Sequence, residues 1–428
     1  MYNEMINDLK NKSICILGFG KEGISTYNYL TKHGITNIKV HDKVTQDVDG
    51  VYGDSYLDNL DNYDIIIKSP GVVLKDIDIS NIKDKISSQL ELLLEYSKCN
   101  IIGITGSKGK STTTSLIYDM VKSNGLDAYL LGNIGNPIFD YLDSFKEESY
   151  LVIEMAGLQL EYVKHSPHIA VITNLYEEHL DFFGTLDNYY NAKLNIVKYQ
   201  TNKDYTVITD NHTLVHEVSK HNYDANISKV SLNDILDDYI YIDNEKVYNI
   251  NNRRTLVGKH NLLNIICALK VSKILNLDMG KCIEAITNFK TLPHRMELVG
   301  TFDGITYYDD AIATIPEATI DCIDALKNVD TLITGGKDRG IDYKPLIDYI
   351  NNSNVSNIIC QAETGYKIEP YITKNTYKVE ELEDAVKLAK EVTKKGYICL
   401  LSPSAASYNK YKNFEEKGNY FQKYVKGE

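Results

Sequence analysis

The sequence predicts an α/β protein of three domains, built from parallel sheets that are covered by helices. Short apolar segments alternate with amphipathic helical segments along the whole chain, as in parallel sheets with helical crossovers. Two glycine-rich loops each follow a predicted strand and begin a predicted helix. The length of 428 residues agrees with about three domains at roughly 150 residues each. We predict domain ranges of 1–97, 98–291 and 292–428.

The first segment alternates strands with a helix that has clear limits. A helix is predicted over residues 21–33, because its apolar side chains recur at helical spacing and Gly34 is placed to end it. The turn Ser69-Pro70-Gly71 follows the last strand. The predicted strands of this segment cover residues 13–18, 37–42 and 63–69. This order of elements predicts a Rossmann-like domain.

The second and third segments repeat the alternation. In the second segment one helix ends at Gly125, and the last helix is predicted over residues 261–276. In the third segment Pro316 suits a first helical turn and Gly396 a C-terminal stop. The predicted strands cover residues 101–105, 150–155, 168–174, 305–309, 331–335, 357–361 and 397–402. The third segment is therefore predicted to be a second Rossmann-like domain, which begins near residues 288–293.

Composition and charge exclude several classes of function. The 46 basic and 59 acidic residues give a formal net charge of −13, which argues against a general nucleic-acid binder. No apolar run approaches the roughly 20 residues that span a membrane, and the N-terminus lacks the apolar stretch of a signal peptide. The seven cysteines lie far apart without a C-x-x-C pair, as expected of buried thiols in a reducing compartment. We therefore expect a cytoplasmic protein that binds neither nucleic acid nor membrane.

The first glycine loop has the features of a dinucleotide-binding turn. It follows a strand and begins a helix, and Asp42 ends the next strand. Its residues are Gly18, Phe19, Gly20, Lys21, Glu22 and Gly23. In such loops the backbone and the helix N-terminus approach a pyrophosphate, and the acid binds a ribose. The ligand can be NAD or any nucleoside diphosphate, and a purely structural turn would also explain the glycines.

The second glycine loop resembles a P-loop. Its residues, again between strand and helix, are Thr105, Gly106, Ser107, Lys108, Gly109, Lys110, Ser111 and Thr112. The spacing departs from the strict Walker pattern because Ile104 stands at the first glycine position. Backbone N–H groups can still cradle phosphates, while Lys110 reaches the outer phosphates and the Ser111 hydroxyl faces Mg²⁺. A flexible turn would explain the glycines but not GKST at a helix start, so we predict ATP binding in a central P-loop domain.

The two nucleotide sites together suggest an enzyme that joins a nucleotide-linked substrate to a second molecule at the expense of ATP. The motifs, taken as a set, resemble those of the Mur ligase family. They are the P-loop, residues 131–135, Glu154, Asn174 with residues 178–181, residues 192–194, residues 258–261 with Asn264, and residues 292–295, 335–340, 401–407 and 412–414. The resemblance covers nearly the full chain, and the motifs fall in family order.

The resemblance implies an ATP-dependent amide ligase of peptidoglycan precursor synthesis. The γ-phosphate of ATP would pass to the alanyl carboxylate of UDP-N-acetylmuramoyl-L-alanine and give an acyl phosphate. The amine of glutamate would then attack the acyl carbon, and the C-terminal motifs imply D-glutamate. In the first step the γ-phosphate and the alanyl carboxylate, which are both negatively charged, must approach each other. The positive charges of a metal ion and a lysine would offset their repulsion.

The resemblance also implies two Mg²⁺ sites. Lys110 matches the phosphate clamp, and Ser111 and Glu154 match ligands of the first metal. His179 matches a ligand of the second metal, and Lys193 matches a lysine that the family carbamylates. Glu154 has independent support, because an unpaired carboxylate at the end of an apolar strand would be costly.

The remaining site residues are likewise implied by the resemblance. For the adenosine they are Asn264, Arg295 and Asp310. For the UDP-sugar they are the first glycine loop, Asp42, Lys43, Ser69, Pro70, Gly71, Asn133 and Gln159. For glutamate they are Thr314 and Arg339 on the α-carboxylate, with Ser407 and Phe414 near the side-chain carboxylate. A guanidinium and hydroxyl groups suit two carboxylates.

Two departures from the family pattern leave the acceptor open. The chain has Ala311-Ile312 where the family usually has Ser-Lys, and Ala156-Gly157-Leu158 where it usually has Ser-Ser-Phe. The same ligation with L-glutamate is therefore an alternative. A folylpolyglutamate synthase-like ligase, an NAD-dependent oxidoreductase and a regulatory P-loop ATPase each explain only part of the motifs. The oligomeric state is open, and we favour a monomer.

Overall fold

The computed structural model describes residues 2–178, 180–408 and 410–427, and it forms two compact units. The first unit comprises Met1–Asn252 and Leu263–Thr287. The second unit comprises Arg253–Leu262 and Asn288–Glu428. The first unit contains two parallel sheets and the second unit contains a third sheet, which confirms the predicted α/β class. The predicted limits at 97/98 and 291/292 stay predictions.

The first sheet of the first unit has five parallel strands in the order β3-β2-β1-β4-β5. The strands are β1 (Ile14–Leu17), β2 (Ile38–Asp42), β3 (Gly50–Tyr52), β4 (Ile65–Lys68) and β5 (Ile86–Ser87). The helices are α1 (Asn3–Leu9), α2 (Lys21–Lys32) and α3 (Gln89–Tyr96). All residues of the central strand β1 are buried, as expected of a parallel sheet covered on both faces.

The second sheet has six parallel strands in the order β11-β10-β9-β6-β8-β7. The strands are β6 (Asn100–Thr105), β7 (Ala128–Gly132), β8 (Tyr150–Glu154), β9 (Ile169–Ile172), β10 (Tyr205–Thr209) and β11 (Asn226–Val230). The helices are α4 (Lys110–Ser123), α5 (Gly157–Leu160), α6 (Leu180–Phe183), α7 (Leu186–Lys198), α8 (His212–Ser219), α9 (Lys259–Ile274) and α10 (Met279–Asn288). Because β6 lies between β8 and β9, the carboxyl ends of these three strands meet at one edge, where ligands bind in open α/β sheets.

Two features of the first unit differ from the sequence-based expectation. The helix predicted at residues 261–276 is α9, but it is not the last, because α10 follows it. An antiparallel meander also follows β11, with strands β12 (Ile235–Leu236), β13 (Tyr239–Ile242) and β14 (Glu245–Asn249). Both of its turns have Asp or Asn at positive φ, at residues 237–238 and 243–244. This is the backbone of tight hairpin turns, a signal that the strand analysis missed.

The sheet of the second unit has the strand order β15-β16-β20-β17-β18-β19, with β15 antiparallel and the others parallel. The strands are β15 (Glu297–Phe302), β16 (Ile305–Asp309), β17 (Val329–Thr334), β18 (Asn357–Cys360), β19 (Asn375–Lys378) and β20 (Ile398–Leu401). The helices are α11 (Pro316–Leu326), α12 (Lys344–Asn352), α13 (Ala362–Ile368), α14 (Leu382–Val392) and α15 (Phe414–Lys426). Pro316 begins α11, as predicted.

Two further expectations concerned buried cysteine thiols and the lack of a membrane-spanning segment. None of the seven cysteines, all of which the structure describes, forms a disulfide; six of them are buried and Cys99 is half-buried. Among the described residues, no helix has both the length and the apolar character that a membrane crossing requires.

Candidate active site

The P-loop makes two close approaches that only glycine permits. Gly106 has φ +143°, and a Cβ there would lie 2.0 Å from Oγ1 of Thr173. Gly109 has φ +80°, and a Cβ there would lie 2.5 Å from Oδ1 of Asn264. Gly109 also caps α4, so the loop ends at the helix N-terminus, where backbone N–H groups favour phosphate. The glycines therefore pack the loop against the ends of its neighbours.

Polar side chains after β9 hold the P-loop in shape. Oδ1 of Asn174 accepts a hydrogen bond from the Lys108 N–H at 2.8 Å, and its Nδ2 donates to the Lys108 carbonyl at 3.1 Å. The Ser107 hydroxyl donates to the Tyr176 carbonyl at 3.2 Å and accepts from the Tyr176 N–H at 2.9 Å. The loop is thus organised by the protein itself before any phosphate binds.

Two lysines converge on one carbonyl of the P-loop. Nζ of Lys110 donates to the carbonyls of Gly106 and Ser107, at 2.9 Å each. Nζ of Lys193, on α7, donates to the same Gly106 carbonyl at 2.7 Å. Lys193 is only 2% exposed and lies 4.8 Å from the centre of the Tyr189 ring. The structure therefore brings together the two predicted catalytic lysines.

The surroundings of Lys193 favour its neutral form. Burial lowers its pKa well below the ordinary value, and the positive charge of Lys110 lowers it further. The carboxylates of Glu178 and Glu154 act in the opposite direction. A neutral amine is the form of lysine that can react as a nucleophile.

Glu154 ends β8 with one oxygen bonded and one oxygen open. It is 1% exposed, and its Oε1 accepts a hydrogen bond from Nδ2 of Asn133 at 2.8 Å. Its Oε2 is buried and has no hydrogen-bond partner within residues 2–178, 180–408 and 410–427. A buried carboxylate oxygen without a partner is costly, and it is the kind of ligand that Mg²⁺ prefers.

The start of α4 carries the remaining P-loop residues. Ser111 and Thr112 are both buried. Thr113 donates from its hydroxyl to Oδ1 of Asn264 at 3.2 Å, which ties the start of α4 to the asparagine predicted to contact the adenosine. His179, the predicted ligand of a second metal, lies outside the described residues.

The first glycine loop is held by Asp42 and by the turn after β4. Oδ2 of Asp42 accepts a hydrogen bond from the Phe19 N–H at 2.6 Å, and Oδ1 accepts from the Val44 N–H at 2.7 Å. The Ser69 hydroxyl donates to the Gly18 carbonyl at 2.8 Å. A Cβ at Gly23 would lie 2.1 Å from that carbonyl, so this glycine permits close packing of α2 on β1. Asp42 thus shapes the loop through its backbone contacts.

Gln159 joins the first glycine loop to the strand of Glu154. Its Nε2 donates to Oε1 of Glu22 at 2.9 Å, and its Oε1 accepts from the Ala156 N–H at 3.0 Å. Glu22 follows the glycine loop, and Ala156 comes two residues after Glu154. The predicted sugar-binding residue therefore joins the start of α2 to the segment that follows β8.

In the second unit Asp310, the acid predicted to contact the adenosine, is buried. Asp310 accepts hydrogen bonds from the Ser402 hydroxyl at 2.9 Å and from the Met296 N–H at 3.2 Å. Burial raises its pKa to about 7, while these bonds and the charge of Arg295 act in the opposite direction. Arg295 and Asp310, which lie on either side of a β-hairpin, are thereby brought into electrostatic contact.

Two of the predicted acceptor residues, Arg339 and Ser407, lie on C-terminal loops that pair with each other. The Lys337 N–H donates to the Ala406 carbonyl at 2.8 Å, which joins the loop of Arg339 to the segment of Ser407. The Arg339 guanidinium lies 5.7 Å from the centre of the Tyr408 ring. The Ser407 hydroxyl is 4% exposed and has no hydrogen-bond partner in the described parts of the chain. A hydroxyl with open hydrogen-bonding capacity and a guanidinium over the ring of the next residue are both groups that can bind a carboxylate.

Comparisons with known proteins show the family of this chain. The model of the Mur ligase middle domain matches residues 104–272, and that of the MurD-like Mur ligase N-terminal domain matches residues 12–88. The UDP-N-acetylmuramoylalanine–D-glutamate ligase of Oenococcus oeni is 34% identical over 97% of both chains. The enzyme of the same name from Clostridium botulinum is 32% identical over 97% of both chains. The chain belongs to the Mur ligase family.

The fold of this Mur ligase also matches a solved family structure. MurF ligase from Thermotoga maritima, in complex with ADP, superposes with a TM-score of 0.61 over 99% of this chain and 97% of its own, at 19% identity. The chain is thus an ATP-dependent ligase that forms C–N bonds, of the MurD-like type, and it acts in peptidoglycan synthesis. Mur ligases use ATP and Mg²⁺, and the open oxygen of Glu154 fits a role as metal ligand in this Mur ligase.

Sequence reasoning missed one side chain of this Mur ligase site. The Tyr189 hydroxyl is 3.0 Å from the Ser107 hydroxyl, and its ring lies beneath the Lys193 ammonium. Tyr189 comes four residues before Lys193 on α7, a spacing that places both on one helical face. This four-residue spacing was the signal in the sequence that could have identified Tyr189.

Proposed function

We propose that this Mur ligase joins D-glutamate to UDP-N-acetylmuramoyl-L-alanine, with ATP as the phosphoryl donor and an acyl phosphate as the intermediate. The observation that carries the proposal is the open carboxylate oxygen of Glu154 at the same sheet edge as Lys110 and Lys193. Such a group is needed where the γ-phosphate of ATP meets the alanyl carboxylate. The relatives named above support the nucleotide substrate and the acceptor.

The P-loop binds and orients the phosphates in this proposal. Backbone N–H groups at the start of α4 hold the phosphate oxygens, and Lys110 moves from the loop carbonyls to the outer phosphates. Mg²⁺, when bound, offsets the negative charge that accumulates between the phosphate and the carboxylate. Ser111 and Glu154 would hold one ion, and His179 and Lys193 the other.

We further propose that Lys193 is carbamylated. Its neutral amine would attack CO₂, a bond would form between Nζ and the carbon, and one amine proton would leave to solvent. The product is an anionic carbamate, which supplies oxygen ligands in place of a cation. The proposal is supported by the complete burial of Lys193 and by its place beside Lys110, where a positive charge is disfavoured.

The first glycine loop would bind the diphosphate of the nucleotide substrate, together with Asn133 and the turn Ser69-Pro70-Gly71. Lys43, which lies 5.7 Å from the centre of the Tyr56 ring, would contribute to the uridine site with Asp42. Gln159 would contact the muramoyl sugar from its position between Glu22 and Ala156.

The second unit would bind the adenosine and the acceptor. Arg295 and Asp310 would contact the adenosine. For Asn264, which belongs to the first unit, a contact with adenosine is proposed from the family resemblance alone. Arg339 and Thr314 would hold the α-carboxylate of glutamate, and Ser407 and Phe414 would lie near its side-chain carboxylate. Once bound, the amine of glutamate would attack the acyl carbon, and phosphate would leave as the amide forms.

Ile312 favours one alternative acceptor, L-glutamate. An apolar, branched side chain replaces a lysine of the family pattern, so the acceptor loop offers one positive charge less. Either another base such as Lys337 or Arg339 compensates, or the acceptor is held in a different orientation. L-glutamate is the simplest such case, because its amine and α-carboxylate are arranged around the α-carbon with the opposite handedness to those of D-glutamate.

An acceptor panel tests the proposal. Phosphate release is measured with ATP, Mg²⁺ and saturating UDP-N-acetylmuramoyl-L-alanine, in separate reactions with D-glutamate, L-glutamate, D-aspartate and L-lysine. The proposal expects the highest rate, with a UDP-linked amide seen by mass spectrometry, for D-glutamate. Preference for L-glutamate would overturn the stereochemistry but keep the ligase, and preference for lysine would overturn the assigned carboxylate pocket. Release without any acceptor amide would indicate an ATPase.

A further inference from the structure

Asp309 is a fully buried carboxylate whose two oxygens both accept hydrogen bonds. It is the last residue of β16, in the second unit. Its Oδ2 accepts from Nδ1 of His294 at 2.7 Å and from Nε2 of Gln422, on α15, at 2.9 Å. Its Oδ1 accepts from the Ala311 N–H at 3.0 Å. Because Ala311 and Thr314 share the loop between β16 and α11, this carboxylate joins the loop of Thr314 to α15.

Lys417 makes a second connection, from α15 to the loop of Arg339. The residue is 3% exposed, and its Nζ donates a hydrogen bond to the Gly335 carbonyl at 2.9 Å. Gly335 comes directly after β17, and Arg339 follows four residues later. Phe414, the first residue of α15, lies three residues before Lys417, about one helical turn away. The helix therefore carries one predicted acceptor residue and holds the loop of another.

The charge of Asp309 supports a cation on each side of it. Burial lowers the pKa of Lys417 to about 8, while the negative charge of Asp309 acts in the opposite direction. Burial opposes the charged form of His294 as well, but the hydrogen bond to Asp309 and its charge raise the pKa of His294 overall. Two buried cations thus depend on one buried carboxylate, and removal of any member would leave a buried charge uncompensated.

The packing of α15 leaves no space between the helix and this pair. A Cβ at Gly418 would lie 2.1 Å from Nδ1 of His294 and 2.8 Å from Oδ2 of Asp309. His294 itself has φ +59°, a backbone conformation that is uncommon for residues other than glycine. Such a conformation persists where the surrounding contacts determine the geometry. The helix and the His294–Asp309 pair therefore fix each other's position.

We propose that Lys417 is a positioning residue for the acceptor amino acid, which with Asp309 holds the loops of Thr314 and Arg339 in place through α15. The inference rests on the proposed function, because it takes these two loops as the acceptor site. Lys417 acts through the backbone of the Arg339 loop and does not have to contact the amino acid itself. Loss of its ammonium group should therefore weaken the acceptor and spare both nucleotides.

Kinetics with the acceptor, and calorimetry with ADP and with UDP-N-acetylmuramoyl-L-alanine, test this role. Lys417→Met removes the charge and the donors, whereas Lys417→Arg keeps both. We expect Lys417→Met to lower kcat/KM for the acceptor about 10–100-fold, mainly through KM, since a hydrogen bond from a charged group contributes that much. Lys417→Arg should recover most of this loss. Both nucleotides should bind every variant as tightly as wild type.

Two further variants complete the experiment. Lys423→Met is the matched control, because it removes an exposed lysine from the same helix, and its kinetics should equal those of wild type. Gln422→Met removes the donor that α15 offers to Asp309, and it should lower kcat/KM for the acceptor about threefold to tenfold. This variant decides the question if Lys417→Met does not fold.

Each other result overturns the inference. Unchanged kcat/KM for Lys417→Met, with a lower unfolding temperature, would make Lys417 a residue of the fold alone. Equal weakening of ADP and the acceptor would indicate a general distortion of the second unit, and a loss in Lys417→Arg as large as in Lys417→Met would assign the residue to packing. The acceptor used is the amino acid with which wild type reacts fastest. Wild-type protein that forms no amide with any amino acid would overturn the proposed function and this inference with it, whereas the other results overturn the inference alone.

Discussion

Asn133 donates a hydrogen bond from its side chain to only one carboxylate oxygen of Glu154, at 2.8 Å, and leaves the other oxygen buried and open. The backbone N–H of Asn133 also donates to the Glu154 carbonyl at 2.9 Å. The asparagine therefore fixes the direction of the carboxylate without neutralising it. This geometry prepares an anionic ligand at the sheet edge where the P-loop begins.

Glu154→Gln should preserve this geometry and remove the charge. The carbonyl oxygen of the glutamine side chain can still accept a hydrogen bond from Asn133, but its amide nitrogen is a poor metal ligand. We expect the Mg²⁺ concentration for half-maximal phosphate release to rise by at least about tenfold, since even partners of metal ligands have effects of that size. The unfolding temperature without Mg²⁺ should not fall, because a costly buried carboxylate is removed. An unchanged Mg²⁺ requirement would contradict the role of Glu154.

Lys110→Ala should abolish phosphate release while UDP-substrate binding stays nearly unchanged. The lysine serves the P-loop, whereas the nucleotide substrate belongs to the other glycine loop. We expect a loss of at least about 10²-fold in rate, as for other groups that stabilise transition-state charge. Calorimetry with the UDP substrate is the second measurement, and Lys122→Ala, on an exposed lysine of the same helix, is the control. An equal collapse of UDP-substrate affinity would contradict the separation of the two sites.

Lys193→Ala should be almost inactive and partly rescued by formate or acetate. A small carboxylate can occupy the place of the missing carbamate oxygens. The rate is measured with and without added carboxylate, alongside Lys198→Ala, which removes an exposed lysine from the same helix. Full activity of the unrescued Lys193 variant would refute the carbamate.

Asp310→Asn should alter the pH dependence of stability. The pKa of Asp310 is raised by burial to about 7, above its ordinary value, so the folded protein holds this proton more tightly than the unfolded chain. This group's contribution is favourable below pH 4 and is lost as the pH rises towards 7. Relative to wild type, the asparagine variant should gain about 2–6 °C in unfolding temperature between pH 4 and pH 8, measured without ATP.

The control for Asp310→Asn is Asp303→Asn, at an exposed turn position with positive φ that asparagine tolerates. Its unfolding temperature should follow that of wild type across the same pH range. A difference between Asp310→Asn and wild type that stays constant with pH would contradict the raised pKa of Asp310.

The elements that the sequence predicted correctly depend on local chemistry. Runs of apolar residues such as residues 14–17 predicted parallel strands, since a strand covered on both faces needs no polar alternation. Both glycine loops were also predictable, because Gly18 in the first loop and Gly106 and Gly109 in the P-loop adopt positive φ, where a side chain would be strained. The family motifs supplied the candidate residues in order along the chain.

Only the tertiary structure decided how those residues face one another. The sequence could not show that Lys193 and Lys110 share the Gly106 carbonyl, or that Asp42 gives both its oxygens to backbone N–H groups. It also gave no sign that Lys68, one more lysine in the pattern, is buried beside Glu161. Such contacts join segments far apart in the chain, and long-range packing determines the burial and open hydrogen-bonding capacity of each group.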